Sequence, residues 1–261
     1  MNNNKINDLI GEQHIKTLFS IFKNQNTELR LVGGSIRDVL MNRESRDIDS
    51  ATTLEPNDVL ELLKINKIEY DDFAIRYGSI IAYPNNKKIQ ITSLREDINQ
   101  LGRHTSVLFT KDWKKDAARR DFTFNALYLG EDCKLYDYYN GQQDLQLKII
   151  KFIGEIEDRI KEDYLRIYRY FRFLGLFDLP QVNNKTQIIV EKYIHESLFV
   201  LTNEVIRQEI LKMFNMPYPL NCFYQSHVKF KWVEILKEHF IKTNYELGLK
   251  KCLNKIDSII N

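Results

Sequence analysis

Cysteine is scarce in this chain: three residues in 261, Cys133, Cys222 and Cys252, lie far apart with no Cys-x-x-Cys pair and no histidines at matching spacing. That excludes a zinc-ligand motif and a disulfide framework, and a reducing cytoplasm is the simplest expected home. Long apolar runs are missing too, and the polar start Met1-Asn-Asn-Asn-Lys-Ile-Asn-Asp8 lacks the apolar core of a signal peptide, so no membrane role is expected. There is little excess charge of either sign. With 38 Lys and Arg against 36 Asp and Glu, the formal net charge of +2 does not by itself mark a nucleic-acid binder, although a whole-chain sum conceals a local basic face. Repeats and low-complexity segments are absent, and no feature points to a protein partner. What remains is 43% hydrophobic and 28% charged, the composition of one large or two modest globular domains.

Against this background one run stands out: Leu31-Val-Gly-Gly-Ser-Ile-Arg-Asp-Val-Leu-Met-Asn-Arg-Glu-Ser-Arg-Asp-Ile-Asp-Ser-Ala-Thr52. In an extended strand side chains alternate faces, so Asp47 and Asp49 are expected to point the same way and Ile48 into the core. Carboxylates that close repel, and a divalent cation removes the conflict; hard oxygen ligands suit Mg²⁺, which keeps waters and shares phosphate oxygens with a substrate. Gly33 and Gly34 end an apolar strand and precede a short amphipathic helix. Without Cβ atoms their backbone can approach a triphosphate, and Arg37 adds a cation.

The first part of the chain reads as a mixed sheet with helices, including Gln13 to Phe22 and Pro56 to Lys64. Its expected strands are Leu29 to Val32, Asp47 to Ala51, Ser79 to Tyr83, Lys88 to Thr92 and Phe124 to Leu129. From Glu155 onward the periodicity is helical, punctuated by Pro180, Pro217 and Pro219. The boundary is expected between Asp144 and Glu155. Arg119 and Arg120 follow Asp116-Ala-Ala at an expected helix end, where adjacent guanidiniums suit a triphosphate and Asn125 a sugar hydroxyl or phosphate.

Four ordered segments now carry a resemblance: the Gly-Gly to Asp-x-Asp run, Arg119-Arg-Asp-Phe-Thr-Phe-Asn-Ala126, Tyr136-Asp-Tyr-Tyr-Asn-Gly-Gln-Gln-Asp-Leu145 and Glu162-Asp-Tyr-Leu-Arg166. Together they resemble the class II CCA-adding tRNA nucleotidyltransferase and bacterial poly(A) polymerase family of the polymerase β superfamily. The resemblance implies an α+β protein: a polymerase β-like head with a mixed sheet over residues 1–148, then an all-helical neck and body over residues 149–261, with a tail shorter than the family's. It implies catalytic, metal-binding Asp47 and Asp49 with two Mg²⁺ ions. Gly33, Gly34, Arg37, Arg119, Arg120 and Asn125 are expected around the triphosphate and sugar.

Glu162, Asp163 and Arg166 are the expected base-selecting group. On one helix Asp163 and Arg166 would share a face, the carboxylate accepting from the exocyclic amino group of C or A and the guanidinium donating to the ring. Uracil and guanine present the opposite polarity. Leu94 to Val107 resembles the flexible loop of CCA-adding members, with Arg95, Asp97, Arg103 and His104 as candidates. Arg169 and Arg172 offer a basic ridge to RNA. The expected activity is addition of C, C and A to tRNA 3′ ends from CTP and ATP. A poly(A) polymerase or a CC- or A-only enzyme is the alternative. A further one is an inactive RNA-end binder, because the third acid of many superfamily members aligns with Gln90.

Overall fold

The computed structural model describes residues 3–25, 27–44, 47–101, 104–225 and 228–242, with the side chains of residues 3, 99–101, 104–105 and 241–242 outside that description. Residues 1–100 and 104–146 form one compact unit; those from Leu147 onward belong to a second.

The first unit opens with helices α1 (Asn3–Gly11) and α2 (Gln13–Asn24). Ile15, Leu18, Phe19 and Phe22 recur at helical spacing along α2 and are all buried. Strand β1 (Leu29–Val32) is buried throughout, as a central strand must be, and turns through Gly33 into α3 (Gly34–Leu40). There follow β2 (Ile48–Thr52), α4 (Pro56–Ile65), β3 (Tyr70–Asp71), β4 (Ser79–Ala82) and β5 (Ile89–Ser93). The proline of α4 fits the first helical turn, where no backbone donor is needed.

Next come β6 (Arg95–Leu101) and β7 (His104–Phe109), which pair with each other in a two-stranded sheet of their own. Then α5 (Trp113–Ala118) starts under the Asp112 side chain, which accepts from the N–H groups of Lys114 and Lys115. After a 3-10 turn at Thr123–Asn125 come β8 (Leu127–Leu129), β9 (Leu135–Asp137) and α6 (Gly141–Gln146). The main sheet is seven-stranded in the order β3-β4-β5-β2-β1-β8-β9, antiparallel except for the parallel pair β2 and β5.

The second unit contains α7 (Ile156–Glu162), α8 (Leu165–Leu174), α9 (Asn184–Lys192), α10 (Ile194–Val200), α11 (Asn203–Phe214) and α12 (Lys231–Lys242). A two-stranded ribbon, β10 (Tyr224–Gln225) with β11 (Val228–Lys229), adds strand to what the sequence presents as helical throughout. Its core is aromatic: Trp232 is fully buried against Tyr168, Phe171 and Phe223, with ring centroids 5.4 to 6.2 Å apart.

Three local expectations need correction. The expected strand from Phe124 starts only at Leu127, because Phe124 and Asn125 lie in the 3-10 turn. The expected loop from Leu94 is largely the β6 and β7 ribbon, with residues 102–103 outside the described set. And no single helix carries both Asp163 and Arg166. Asp163 is extended, at φ −151° and ψ 102°, and separates α7 from α8.

Candidate active site

Asp49 lies on β2 and Asp47 immediately before it, with Ile48 between them buried. Asp47 is exposed and Asp49 half-buried. Burial pushes the Asp49 carboxyl above its ordinary value; the nearby Arg120 and Lys88 cations pull it down, and the Asp47 charge adds to the rise. Antiparallel pairing sets Val32, the last residue before the glycines, opposite Asp49. Parallel pairing sets Gln90 beside Asp49 in register, so an amide is the lateral neighbour of this acid.

Gly33 has φ +81° and ψ −130°, a conformation that an L side chain rarely adopts. A Cβ there would lie 3.6 Å from Arg120 Nη1, so the strand-to-helix turn and the second arginine are close neighbours. Arg37 is committed within the head. It pairs with Asp38 at 2.9 Å and donates from Nη1 to Asn125 Oδ1 at 2.8 Å, while Asn125 Nδ2 donates to Asp121 Oδ1 at 3.0 Å. Arg37, Asn125 and Asp121 thus form one chain of hydrogen bonds that fixes the Asn125 amide.

Arg119 caps the C-terminus of α5, and both arginines converge on Asp116. Asp116 Oδ1 accepts from Arg119 Nε at 2.8 Å; Oδ2 accepts from Arg120 Nη2 at 3.3 Å and from the Tyr128 hydroxyl at 2.6 Å. Burial raises the Asp116 carboxyl, but the two guanidiniums and the Tyr128 hydroxyl outweigh it and bring it down to about 2. Sequence reasoning singled out neither Asp116 nor Tyr128. The spacing of Asp116 to the arginines, three and four residues along a helix, was the available signal for the first. Nothing local points to Tyr128, which comes from strand β8.

On the ribbon, Arg95 pairs with Asp97 at 3.2 Å and donates to the Tyr77 carbonyl, while its backbone N–H donates to Asp116 Oδ1 at 3.3 Å. Arg103, and the side chain of His104, lie outside the described residues.

In the second unit Arg166 is buried, and its Nη1 donates to the Arg159 carbonyl and to Glu162 Oε2, both at 2.7 Å. Glu162, four residues back, is thus a carboxylate partner of Arg166. Asp163 accepts from the Leu165 N–H at 3.0 Å, at the start of α8. Arg172 pairs with the buried Glu209 of α11 at 2.7 Å, and Arg169 and Arg172 both flank the Phe173 ring. Arg172 therefore faces inward, unlike a member of a solvent-facing ridge.

A mixed sheet carrying an acidic pair at the start of one strand, beside a glycine turn and clustered guanidiniums, has the architecture of a nucleotidyltransferase head. Residues 29–151 match the poly A polymerase head domain, so this part of the chain is the head of a nucleotidyltransferase of the CCA-adding and poly(A) polymerase family. It is 44% identical over 168 residues to the human CCA tRNA nucleotidyltransferase 1, mitochondrial, covering 64% of this chain and 39% of that protein. A CCA-adding enzyme of Listeria innocua is 34% identical over 225 residues, 85% of this chain and 50% of its own. The CCA-adding enzyme of Bacillus stearothermophilus, solved in complex with CTP, superposes with a TM-score of 0.71 at 25% identity, over 81% of this chain and 51% of that one. The chain spans about half the length of the curated relatives it matches, or less. Among the described residues no helix is long and apolar enough to cross a membrane.

Proposed function

We propose that this protein adds C, C and A to the 3′ end of tRNA from CTP and ATP. In each step the terminal 3′ hydroxyl oxygen bonds to the α-phosphorus of the incoming nucleotide. The bond from that phosphorus to the bridging oxygen breaks, the hydroxyl proton is lost to solvent, and pyrophosphate leaves. The observation that carries the reading is Asp49: a half-buried acid on a head strand, electrostatically coupled to Asp47 on one side and to Arg120 on the other. Arg120 with Arg119 suits the triphosphate, and the coupled acids suit a cation.

Asp47 and Asp49 are the residues that would hold Mg²⁺. Two carboxylates one residue apart, one of them half-buried, fit a hard divalent ion, with substrate oxygens and water completing its shell. When bound, such ions screen charge on the nucleotide phosphates and favour the ionised form of the attacking hydroxyl. Among the described residues no cluster of three or more acids, histidines or cysteines accompanies the pair, and Gln90 offers a neutral oxygen beside Asp49. Gly33 and Gly34 let the backbone come close to the phosphates, and Asn125, held by Arg37 and Asp121, is oriented toward the sugar.

Base choice is assigned to the second unit. Arg166, preset by Glu162 and the Arg159 carbonyl, donates to the base, and Asp163 accepts from the amino group common to C and A. Arg169 is assigned to RNA phosphate; Arg172 is a strut to Glu209. The compartment we assign is the cytoplasm, on the scarcity and wide spacing of the cysteines in the sequence.

The test is extension of tRNA ending before CCA, with each nucleotide supplied separately and then together. Two additions with CTP and one more with ATP are expected. Long ATP-only products would instead indicate a poly(A) polymerase, arrest after one type of nucleotide a partial enzyme, and no extension an RNA-end binder.

A further inference from the structure

Asp116 is not among the groups expected to meet a substrate, yet the arginine pair is organised around it. Its side chain is fully buried, and its oxygens are divided between the arginines: Oδ1 holds Arg119 Nε at 2.8 Å and Oδ2 holds Arg120 Nη2 at 3.3 Å. Tyr128 completes the arrangement. Its hydroxyl donates to Asp116 Oδ2 at 2.6 Å and accepts from Arg120 Nε at 3.2 Å, so Arg120 is fixed through two nitrogens.

Tyr128 is itself confined. Its ring stands edge-on to Trp113 and Tyr138, with centroids 5.3 and 6.0 Å away. Trp113 in turn carries the buried Arg30 guanidinium 3.9 Å from its ring centre, and Arg30 donates to the Tyr138 hydroxyl at 3.0 Å. This aromatic wall leaves the hydroxyl little freedom. On its other side Arg120 lies against the Gly33 turn and within electrostatic reach of Asp49. An arginine side chain has many rotamers to lose, and fixing it before the substrate arrives removes that cost from the binding step.

Resting on the nucleotidyltransferase reading above, we propose that Asp116 is a positioning residue for the phosphate chain of the incoming nucleotide. It aims Arg119 with one oxygen and Arg120 with the other, and Tyr128 transmits the hold on Arg120. The consequence is selective. Losing Asp116 weakens recognition of the phosphate chain and leaves recognition of base and sugar alone, so the quantity to measure is the preference for ATP over AMP.

The experiment is equilibrium binding of ATP and of AMP, each with Mg²⁺ and without RNA, to the full chain and to Asp116→Asn, Tyr128→Phe and Arg120→Ala, with thermal melts alongside. A hydrogen bond to a charged group is worth enough that Asp116→Asn is expected to weaken ATP about tenfold or more while AMP changes by less than about twofold. Tyr128→Phe, which keeps the ring, is expected to weaken ATP about threefold, and it decides the matter if Asp116→Asn does not fold. Equal losses for ATP and AMP would make Asp116 merely structural and overturn the proposal. So would unchanged ATP binding in both variants while Arg120→Ala loses it, an outcome that leaves the nucleotidyltransferase reading standing. If the unmodified protein shows no preference for ATP and Arg120→Ala changes nothing, the assignment of the arginines to phosphate fails, and the positioning role with it.

Discussion

In the head, fully buried Asp116 on α5 holds Arg119 and Arg120 and is braced by a tyrosine hydroxyl. In the helical unit, Glu209 on α11, 1% exposed, pairs with Arg172 of α8 and with Lys212 one turn further along its own helix. Each is a buried acid surrounded by cations, and burial without partners would be prohibitive for either. The difference lies in what the cations do next. Arg172 packs on Phe173 and crosses from one helix to another, so its charge is consumed within the core of its unit. Arg120 reaches past Asp116 to Gly33 and the field of Asp49, so part of its charge remains directed at a second acid. Similar local chemistry thus ties helices together in one unit and holds guanidiniums within reach of a strand acid in the other.

The sharpest test of that contrast is the acid that Arg120 faces. Asp49→Ala and Asp47→Ala should each reduce nucleotide incorporation by at least about a thousandfold, since the chemistry depends on charge held at that point. Melting temperature should stay close to that of the unmodified protein, because neither side chain is part of the buried core. Single-turnover extension assays with a thermal melt measure both, and near-normal turnover in either variant would remove the acidic pair from the chemistry.

Glu209 should behave in the opposite way. Glu209→Ala leaves the Arg172 guanidinium without its buried carboxylate, a change expected to cost about 3–5 kcal/mol of stability. Urea unfolding followed by circular dichroism reads that loss. Below the unfolding transition, the preference for ATP over AMP should be unaltered. A variant of normal stability with altered nucleotide preference would reverse the roles assigned to the two acids.

How much of this was legible in the sequence depended on whether the partners were local. The helices α2 and α4 and the strands β1, β2, β4 and β5 follow from periodicity and flanking residues, and the arginine pair from its own dipeptide. Charged Arg95, Glu96 and Asp97 mask the strand alternation of β6, so the ribbon reads as a loop. Asp163 looks helical by composition, but its carboxylate competes for a backbone N–H at the start of α8, a substitution of side chain for helix hydrogen bond that Asp makes readily. The pairing of Asp49 with Gln90 needs the parallel register of two strands separated by an intervening helix and hairpin, which no local pattern supplies. Tyr128 is hidden for a related reason: its hydroxyl matters only once β8 lies beside α5.

The smallest expected effect distinguishes Asp116 from Asp49 by sign. The Asp116 carboxyl, at about 2, lies below the ordinary aspartate value of 3.8, so the unfolded chain takes up this proton before the folded one does. Its contribution is complete above the ordinary value and is lost as pH falls from about 4 toward 2, a change of about 2 kcal/mol. Asp49 is displaced the other way by burial, so protonation relieves the folded state instead of weakening it. Urea unfolding from neutral pH down through this range, compared among the unmodified protein, Asp116→Asn and Asp49→Asn, isolates each group because all other carboxylates are shared. The stability difference from Asp116→Asn should shrink as the solution is acidified, since only the unmodified protein has that interaction to lose. For Asp49→Asn the unmodified protein should gain on the variant at higher pH, as acidification passes from the raised folded value down to the ordinary 3.8, with no further change below it. Parallel curves for the two variants would mean that the guanidiniums hold both acids alike, and the division of Arg120 between an anchoring acid and a facing one would not stand.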